Sequence, residues 1–196
     1  MIEKHFHGLA SLPCWGVHWE PQLNLSMNFG APHLEIREPK RTNSTSELTR
    51  LSFAHRRVTL RGNWWLWAFC SRWTLSIRGL QPVRSTASAR RIQQAIRLLD
   101  GQCLVRAKVN PRNARTRFEF DLGAVLDLRE LDNADDGDIW SLYKPDHRVL
   151  SVRGDGTFSL ESEKFSSASY RPISPAFAPR GSDGLSTSKK RPPPPR

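Results

Sequence analysis

Three cysteines carry the strongest nucleophilic chemistry in this sequence, and they stand at positions 14, 70 and 103. A thiolate activated by a histidine base is a recurrent arrangement in hydrolases. Cys70, however, follows the apolar run GNWWLWAF, where a cysteine is usually a small buried hydrophobe. An odd number of cysteines without CxxC spacing indicates neither a zinc site nor a disulfide framework, so a reducing compartment such as the cytoplasm is favoured.

The acidic loop DNADDGD, residues 132–138, is the best candidate in the sequence for binding a cation. If Gly137 is aligned with the sixth residue of an EF-hand loop, Asp132 and Asp136 fall on ligand positions. Ala134 then occupies the third position and Tyr143 the twelfth, where a bidentate glutamate is needed. The spacing excludes an EF-hand and leaves a looser cation site as the minor alternative.

The remaining polar residues form no recognisable catalytic or cofactor motif. The six histidines are scattered along the chain, at positions 5, 7, 18, 33, 55 and 147. HExxH, Walker, GxGxxG and GxSxG patterns are all absent from the sequence. We therefore expect a protein without enzymatic activity, without a cofactor and without a bound metal.

The chain is basic, with a formal net charge of +11 from 30 Lys and Arg against 19 Asp and Glu. The excess lies in the first half of the predicted domain and in the C-terminal tail, which makes an acidic partner such as nucleic acid possible in principle. Four arginines near the aromatic run are the candidate nucleic-acid contacts: Arg56, Arg57, Arg61 and Arg72.

Residues 62–73, GNWWLWAFCSRW, hold four of the seven tryptophans. The uncharged run at 62–71 is about half of the roughly 20 residues that a membrane-spanning helix needs. Aromatic side chains beside arginines can stack single-stranded bases, but the predicted face with Trp65, Trp67, Phe69 and Trp73 contains no Arg or Lys. Apolar residues stand at even positions before Gly62 and at odd positions after it, which predicts a central strand with a β-bulge at this glycine.

The other periodic segments predict one helix and several paired strands. Apolar residues at i, i+3, i+4 and i+7 indicate an amphipathic helix over about residues 89–100. Alternating patterns and turn residues predict hairpins and a meander between residues 103 and 160. The predicted core residues are Trp65, Trp67, Phe69, Ile92, Ile96, Leu99, Phe118, Phe120 and Trp140. The predicted fold is α+β and mostly antiparallel: a strongly bent sheet or partly closed barrel of about six or seven strands with this one main helix.

Three regions of different composition divide the chain. Residues 1–26 read as a poorly defined N-terminal extension without an export signal, and residues 27–160 as a single α+β domain. Residues 161–196 form a Ser- and Pro-rich basic tail ending in KKRPPPPR, which is predicted to be disordered.

Five stretches in order carry a resemblance: FGAPHLEIREP, RGNWWLWAF, RRIQQAIRLLDGQCLVRAKV, TRFEFDLGAVLDLR and IWSLYKPDHRVLSVRGDGTFSL. Over about residues 27–160 the chain resembles a family of small bacterial proteins of unknown function, and the resemblance implies no activity. The leading hypothesis is a non-enzymatic cytoplasmic accessory protein that binds a protein partner. The alternative is nucleic-acid binding through the basic first half of the core or the basic tail. The oligomeric state is left open.

Overall fold

The computed structural model of the chain describes residues 2–21, 24–69, 71–131, 137–163 and 168–174. Its helices are a 3-10 helix at Ile2–Leu9, α1 at Glu47–Ala54 and α2 at Ala89–Leu99. Its strands are β1 (Cys14–Glu20), β2 (Asn24–Arg37), β3 (Arg57–Ala68), β4 (Ser71–Ser76), β5 (Val83–Arg84), β6 (Leu104–Val109), β7 (Thr116–Phe120), β8 (Val125–Glu130), β9 (Asp138–Tyr143), β10 (Arg148–Arg153), β11 (Thr157–Ser162) and β12 (Arg171–Pro172).

The strands form two open antiparallel sheets. The first sheet has seven strands in the order β1-β2-β3-β9-β10-β11-β12, and the second has five in the order β5-β4-β8-β7-β6. The prediction of an α+β fold, with one bent sheet or a partly closed barrel and one main helix, is therefore wrong. Across the described ranges the fold is β-rich, with three short helices and no closed barrel.

The reason for this error is that the apolar alternation behind the predicted central strand extends over residues 57–77 without a visible break between strands. These residues form two strands, β3 and β4, which belong to different sheets. Apolar alternation is a local property, whereas the choice of neighbouring strand depends on contacts that are distant in sequence. A crossing between sheets therefore leaves the alternation almost unchanged and cannot be recognised from it.

A single large cluster of buried side chains draws on both sheets and on α2. Trp140 of the first sheet is fully buried in it, with its ring 6.2 Å from that of Phe118 of the second sheet. The indole N–H of Trp140 donates to Thr116 Oγ1 at 2.8 Å, so the one polar atom of this side chain is satisfied. Helix α2 buries Ile92, Ala95, Ile96 and Leu99 in the same cluster.

The N-terminal residues pack into this core, although they were predicted to form an extension. The 3-10 helix buries Ile2, Phe6 and Leu9, and the Phe6 ring lies 5.7 Å from those of both Phe118 and Trp140. Strand β1 pairs with β2 at the edge of the first sheet. The histidines and glycine between these apolar positions interrupt any continuous hydrophobic run, so the segment carries little pattern from which packing can be predicted.

A β-bulge interrupts the pairing of β2 with β3, but it does not lie where the sequence predicted it. Phe29 pairs with Trp64 and Pro32 pairs with Gly62, so two residues of β2 oppose one residue of β3. The extra residue therefore belongs to β2. The side chains of β3 alternate between the two faces of the sheet without interruption, so its even-numbered residues all point to the same side.

Gly62 is required at this bulge for a different reason, the close approach of the two backbones. A Cβ at this position would lie 2.5 Å from the carbonyl oxygen of Phe29. The Gly62 N–H donates to Asn28 Oδ1 at 3.0 Å, which fixes the bulge from the opposite strand. The glycine permits the contact without itself reversing the faces of β3.

Candidate functional site

Strands β2 and β3 extend together past the rest of the first sheet. Among the described pairings, β1 accompanies β2 only as far as Phe29, and β9 accompanies β3 only from Trp65 onward. Beyond the bulge the two strands pair only with each other, up to the pair Arg37 and Arg57. We call residues 31–61, which include α1, the arm.

One face of the arm is aliphatic and open to solvent. Leu34 pairs with Leu60 and Ile36 with Val58, and directly opposed residues share a face of a sheet. Their exposed fractions are 62% and 53% for the first pair and 55% and 54% for the second. Four clustered aliphatic side chains that all remain more than half exposed are unusual on a monomeric protein and typical of an interaction site. We call this set the arm stripe.

The arm stripe continues the core-facing side of the first sheet. Val58 and Leu60 have the same parity in β3 as Leu66 and Ala68, both of which lie in the main core. Because β3 keeps its period, all four side chains point to the same side. The same apolar face is covered within the body and uncovered on the arm.

Helix α1 does not cover the arm stripe. It contacts the strands through Ser52, whose carbonyl oxygen accepts a 2.6 Å hydrogen bond from Arg37, and through Phe53, whose ring lies beneath the Arg37 and Lys40 cations. Arg37 stands on the opposite face to Ile36, so α1 is attached on the polar side. The helix buries none of its residues, and Leu48 is 75% exposed.

From sequence alone the polar and aperiodic residues 40–50, KRTNSTSELTR, predict an exposed loop, and local sequence explains why α1 begins within them. Ser46 occupies the N-cap with extended backbone angles, and its hydroxyl accepts a hydrogen bond from the Thr49 N–H at 3.4 Å. Glu47 in the first turn interacts favourably with the helix dipole. The prediction of a loop through residue 50 is corrected, because the helix begins at Glu47.

The arm carries a positive charge that its own carboxylates only partly neutralise. Its cations are Arg37, Lys40, Arg41, Arg50, Arg56, Arg57 and Arg61, and its carboxylates are Glu35, Glu38 and Glu47. Glu38 pairs with Arg56 at 2.9 Å and Glu35 with Arg61 at 3.1 Å. Arg37, Arg57 and Arg61 lie on the face of the two strands opposite the arm stripe, so the arm joins an aliphatic face to a basic one, and its net positive charge favours an acidic partner.

The structure brings three of the four predicted nucleic-acid contacts together on the arm. Arg56, Arg57 and Arg61 lie at or beside the start of β3, whereas Arg72 lies on β4 in the second sheet. Two of these three predicted contacts, Arg56 and Arg61, are already paired with glutamates. Arg61 is engaged twice, because its guanidinium also lies 3.8 Å from the centre of the Trp65 ring.

The nine predicted core residues are all buried, but they separate into two clusters. Six lie in the main core: Ile92, Ile96, Leu99, Phe118, Phe120 and Trp140. The other three form a smaller cluster with Tyr143 on the opposite face of the first sheet, and Trp73 does not belong to it. Trp65 stacks on Trp67 at 5.8 Å, and Trp67 stacks on Phe69 at 4.2 Å.

Replacing Trp67 by alanine is expected to lower the free energy of unfolding by ~3–5 kcal/mol, because a buried aromatic side chain is removed from the centre of this stack. Equilibrium unfolding in urea measures the change. Trp67→Phe, which keeps a ring between its two neighbours, should cost clearly less. If Trp67→Ala left stability unchanged and abolished binding of single-stranded nucleic acid, the aromatic row would be a stacking platform.

The described cysteines do not have the surroundings of a nucleophile. The Cys14 thiol donates a hydrogen bond to the Leu99 carbonyl oxygen at 3.1 Å, and burial, with a contribution from the Asp100 charge, raises its pKa to about 12. Partial desolvation and the neighbouring Asp121 carboxylate also raise the pKa of Cys103. Cys70 lies outside the described residues, so the sequence interpretation of this position stays a prediction.

No group of three His, Cys, Asp or Glu side chains in the described ranges is arranged to hold a metal ion. Residues 132–136 of the predicted cation loop lie outside those ranges, as does the KKRPPPPR tail. None of the described helices has the length and apolar character needed to cross a membrane.

Comparison with known proteins identifies no relative of this chain. No family model, curated protein or solved structure matches the chain. The resemblance of residues 27–160 to a bacterial family therefore stays a prediction.

Proposed function

We propose that this chain is a non-enzymatic binding protein and that the arm is the surface by which it binds a protein partner. The observation that carries the proposal is the arm stripe, in which Leu34, Ile36, Val58 and Leu60 continue a core-facing surface beyond the body that covers it elsewhere. Leaving such side chains in water costs free energy that a partner recovers on binding, at roughly 25 cal/mol per Å² of apolar area buried.

The partner we propose is a different protein with an aliphatic surface bordered by carboxylates. Association of two copies of this chain would bring together two arms that each carry more cations than carboxylates, within chains of formal charge +11. Like charges at the edge of an interface disfavour association, whereas opposite charges increase its rate and specificity. The charge therefore favours an acidic partner over self-association.

The proposed location is the bacterial cytoplasm, with the chain acting as an accessory to its partner. Its described cysteines, Cys14 and Cys103, are free thiols, which suits a reducing compartment. The raised pKa values of both thiols also suit a structural role better than a catalytic one.

Photo-crosslinking in the native cells identifies the partner and tests the surface in one experiment. A photoreactive amino acid is introduced at position 34 or 60 on the arm stripe, and at position 122 as a control. Leu122 is 68% exposed and lies in the turn between β7 and β8, on the second sheet. We expect positions 34 and 60 to crosslink the same acidic protein and position 122 not to crosslink it.

Equal crosslinking from position 122 would show that the contact is not specific to the arm, and crosslinking only to a second copy would replace the acidic partner by a homodimer. Either result contradicts the proposal. The crosslinked protein is then purified and its affinity for the unmodified chain is measured, since capture alone does not establish a specific complex.

A further inference from the structure

The solvent face of α2 is composed mainly of arginine and glutamine side chains, with Leu98 as its one large apolar member at 48% exposure and with no carboxylate within the helix. Within Ala89–Leu99 the sequence contains no Asp or Glu. The polar members of the exposed face are Arg90, Arg91, Gln93, Gln94 and Arg97, and all are exposed. The helix is therefore amphipathic, and its polar side carries only guanidinium and amide groups.

Four of these side chains lie along the line of the helix that is farthest from the core. Arg90, Gln93, Gln94 and Arg97 have the spacing i, i+3, i+4 and i+7, which places them on one face at 3.6 residues per turn. The buried residues Ile92, Ala95, Ile96 and Leu99 occupy the opposite face. The two arginines are about 10.5 Å apart along the axis. We call the four outward residues the α2 crest.

The crest side chains are not used within the protein. Among the described residues, the Arg90 and Arg97 side chains form no ion pair, and the side-chain amides of Gln93 and Gln94 form no hydrogen bond. The arginines of the arm differ in this respect, since Arg56 and Arg61 are paired with glutamates. The positive charge on α2 is consequently available to an outside anion, whereas part of the charge on the arm is already neutralised.

We propose that the α2 crest is a second binding site, which takes the phosphate backbone of double-stranded nucleic acid. A guanidinium can contact a phosphate through two parallel hydrogen bonds. Glutamine amides supply further donors for phosphate and sugar oxygens. A helix with its side chains is about 10–12 Å in diameter, which matches the ≈ 12 Å width of the B-form major groove.

The packing of α2 excludes another common role of basic amphipathic helices. A helix that lies on a membrane surface inserts its apolar face among the lipids. Four apolar residues of α2, Ile92, Ala95, Ile96 and Leu99, lie in the protein core, and Leu98 is the one large apolar side chain of the helix that stays accessible. Apart from Leu98, the accessible side of the helix is cationic and amide, and a polyanion is the ligand that suits it.

This site is separate from the arm, so a negative result for one of the two proposed sites does not contradict the other. The test measures binding of the full chain to a fluorescent DNA duplex of mixed sequence, about two helical turns long, by anisotropy over a range of salt concentrations. We expect saturable binding that weakens steeply as salt rises from about 50 to 200 mM. Replacing both Arg90→Gln and Arg97→Gln should weaken binding about tenfold and reduce the slope of log K against log salt by about 2.

The matched control removes two exposed charges outside both the arm and α2, by Arg106→Gln and Lys108→Gln together on β6. This variant should bind the duplex within about twofold of the unmodified chain. Equal weakening by both pairs would mean that only net charge matters, and full retention by the α2 variant would assign binding to another region such as the C-terminal tail. Either result overturns the site, as does absence of binding at the lowest salt concentration or preference for anionic vesicles over the duplex.

Discussion

Replacing Trp140 by alanine is expected to lower the free energy of unfolding by ~3–5 kcal/mol. This loss should be among the largest that a single substitution in this chain causes. Trp140 is fully buried, and its ring is in contact distance of Phe6 and Phe118, so its removal empties space shared by both sheets and the N-terminal helix. The Thr116 hydroxyl would also lose the indole N–H from which it now accepts a hydrogen bond. Urea denaturation followed by circular dichroism measures the change.

Two further substitutions separate the packing of Trp140 from its hydrogen bond. Trp140→Phe keeps most of the ring volume and removes the N–H, so it should cost less than Trp140→Ala. Thr116→Val removes the acceptor and keeps the shape, and it should cost about 1–3 kcal/mol because the indole N–H is left unsatisfied. A Trp140→Ala protein as stable as the unmodified chain would mean that the two sheets do not share this core.

Replacing Leu34 and Leu60 together by serine is expected to weaken binding of the crosslinked partner by about 30-fold or more. The two leucines are opposed across the arm and lie on the arm stripe, and apolar residues at the centre of an interface commonly contribute about 1–2 kcal/mol or more each. Isothermal titration calorimetry with purified partner gives the affinity. Because both side chains are already more than half exposed, the free energy of unfolding should change by less than about 1 kcal/mol.

The control for this prediction is the pair Val105→Ser and Leu122→Ser. These residues are 63% and 68% exposed, so the same chemistry is removed from an equally open surface outside the arm. Partner affinity should remain within about twofold of that of the unmodified chain. A Leu34 and Leu60 variant with normal affinity would exclude the arm stripe as the contact surface.

Local periodicity identified nine buried residues but not the sheets to which they belong. The side chains of Phe118 and Trp140 were predicted to be buried from alternation alone, and both are. Alternation does not reveal which strand lies beside another, because that is set by contacts between distant parts of the chain. The two-sheet fold and the packing of Ile2 and Phe6 consequently lay beyond the sequence pattern.

The arm stripe was missed for a related physical reason. Leu34 and Ile36 alternate with charged residues in the same way as a strand with one buried face, and so do Val58 and Leu60. Whether another layer covers such a face is a tertiary property that the alternation does not encode. For α2 the sequence does carry a signal, since the absence of Asp and Glu between residues 89 and 99 marks its polar face as purely cationic and amide.

Hydrogen exchange of the full chain, with and without saturating purified partner, tests the arm as the binding surface most directly. We expect the amides of residues 33–37 and 57–61 to become protected about tenfold or more, while those of β6 and β7 exchange at unchanged rates. Protection confined to surfaces outside residues 31–61, with the arm exchanging as in the free protein, would contradict the proposal.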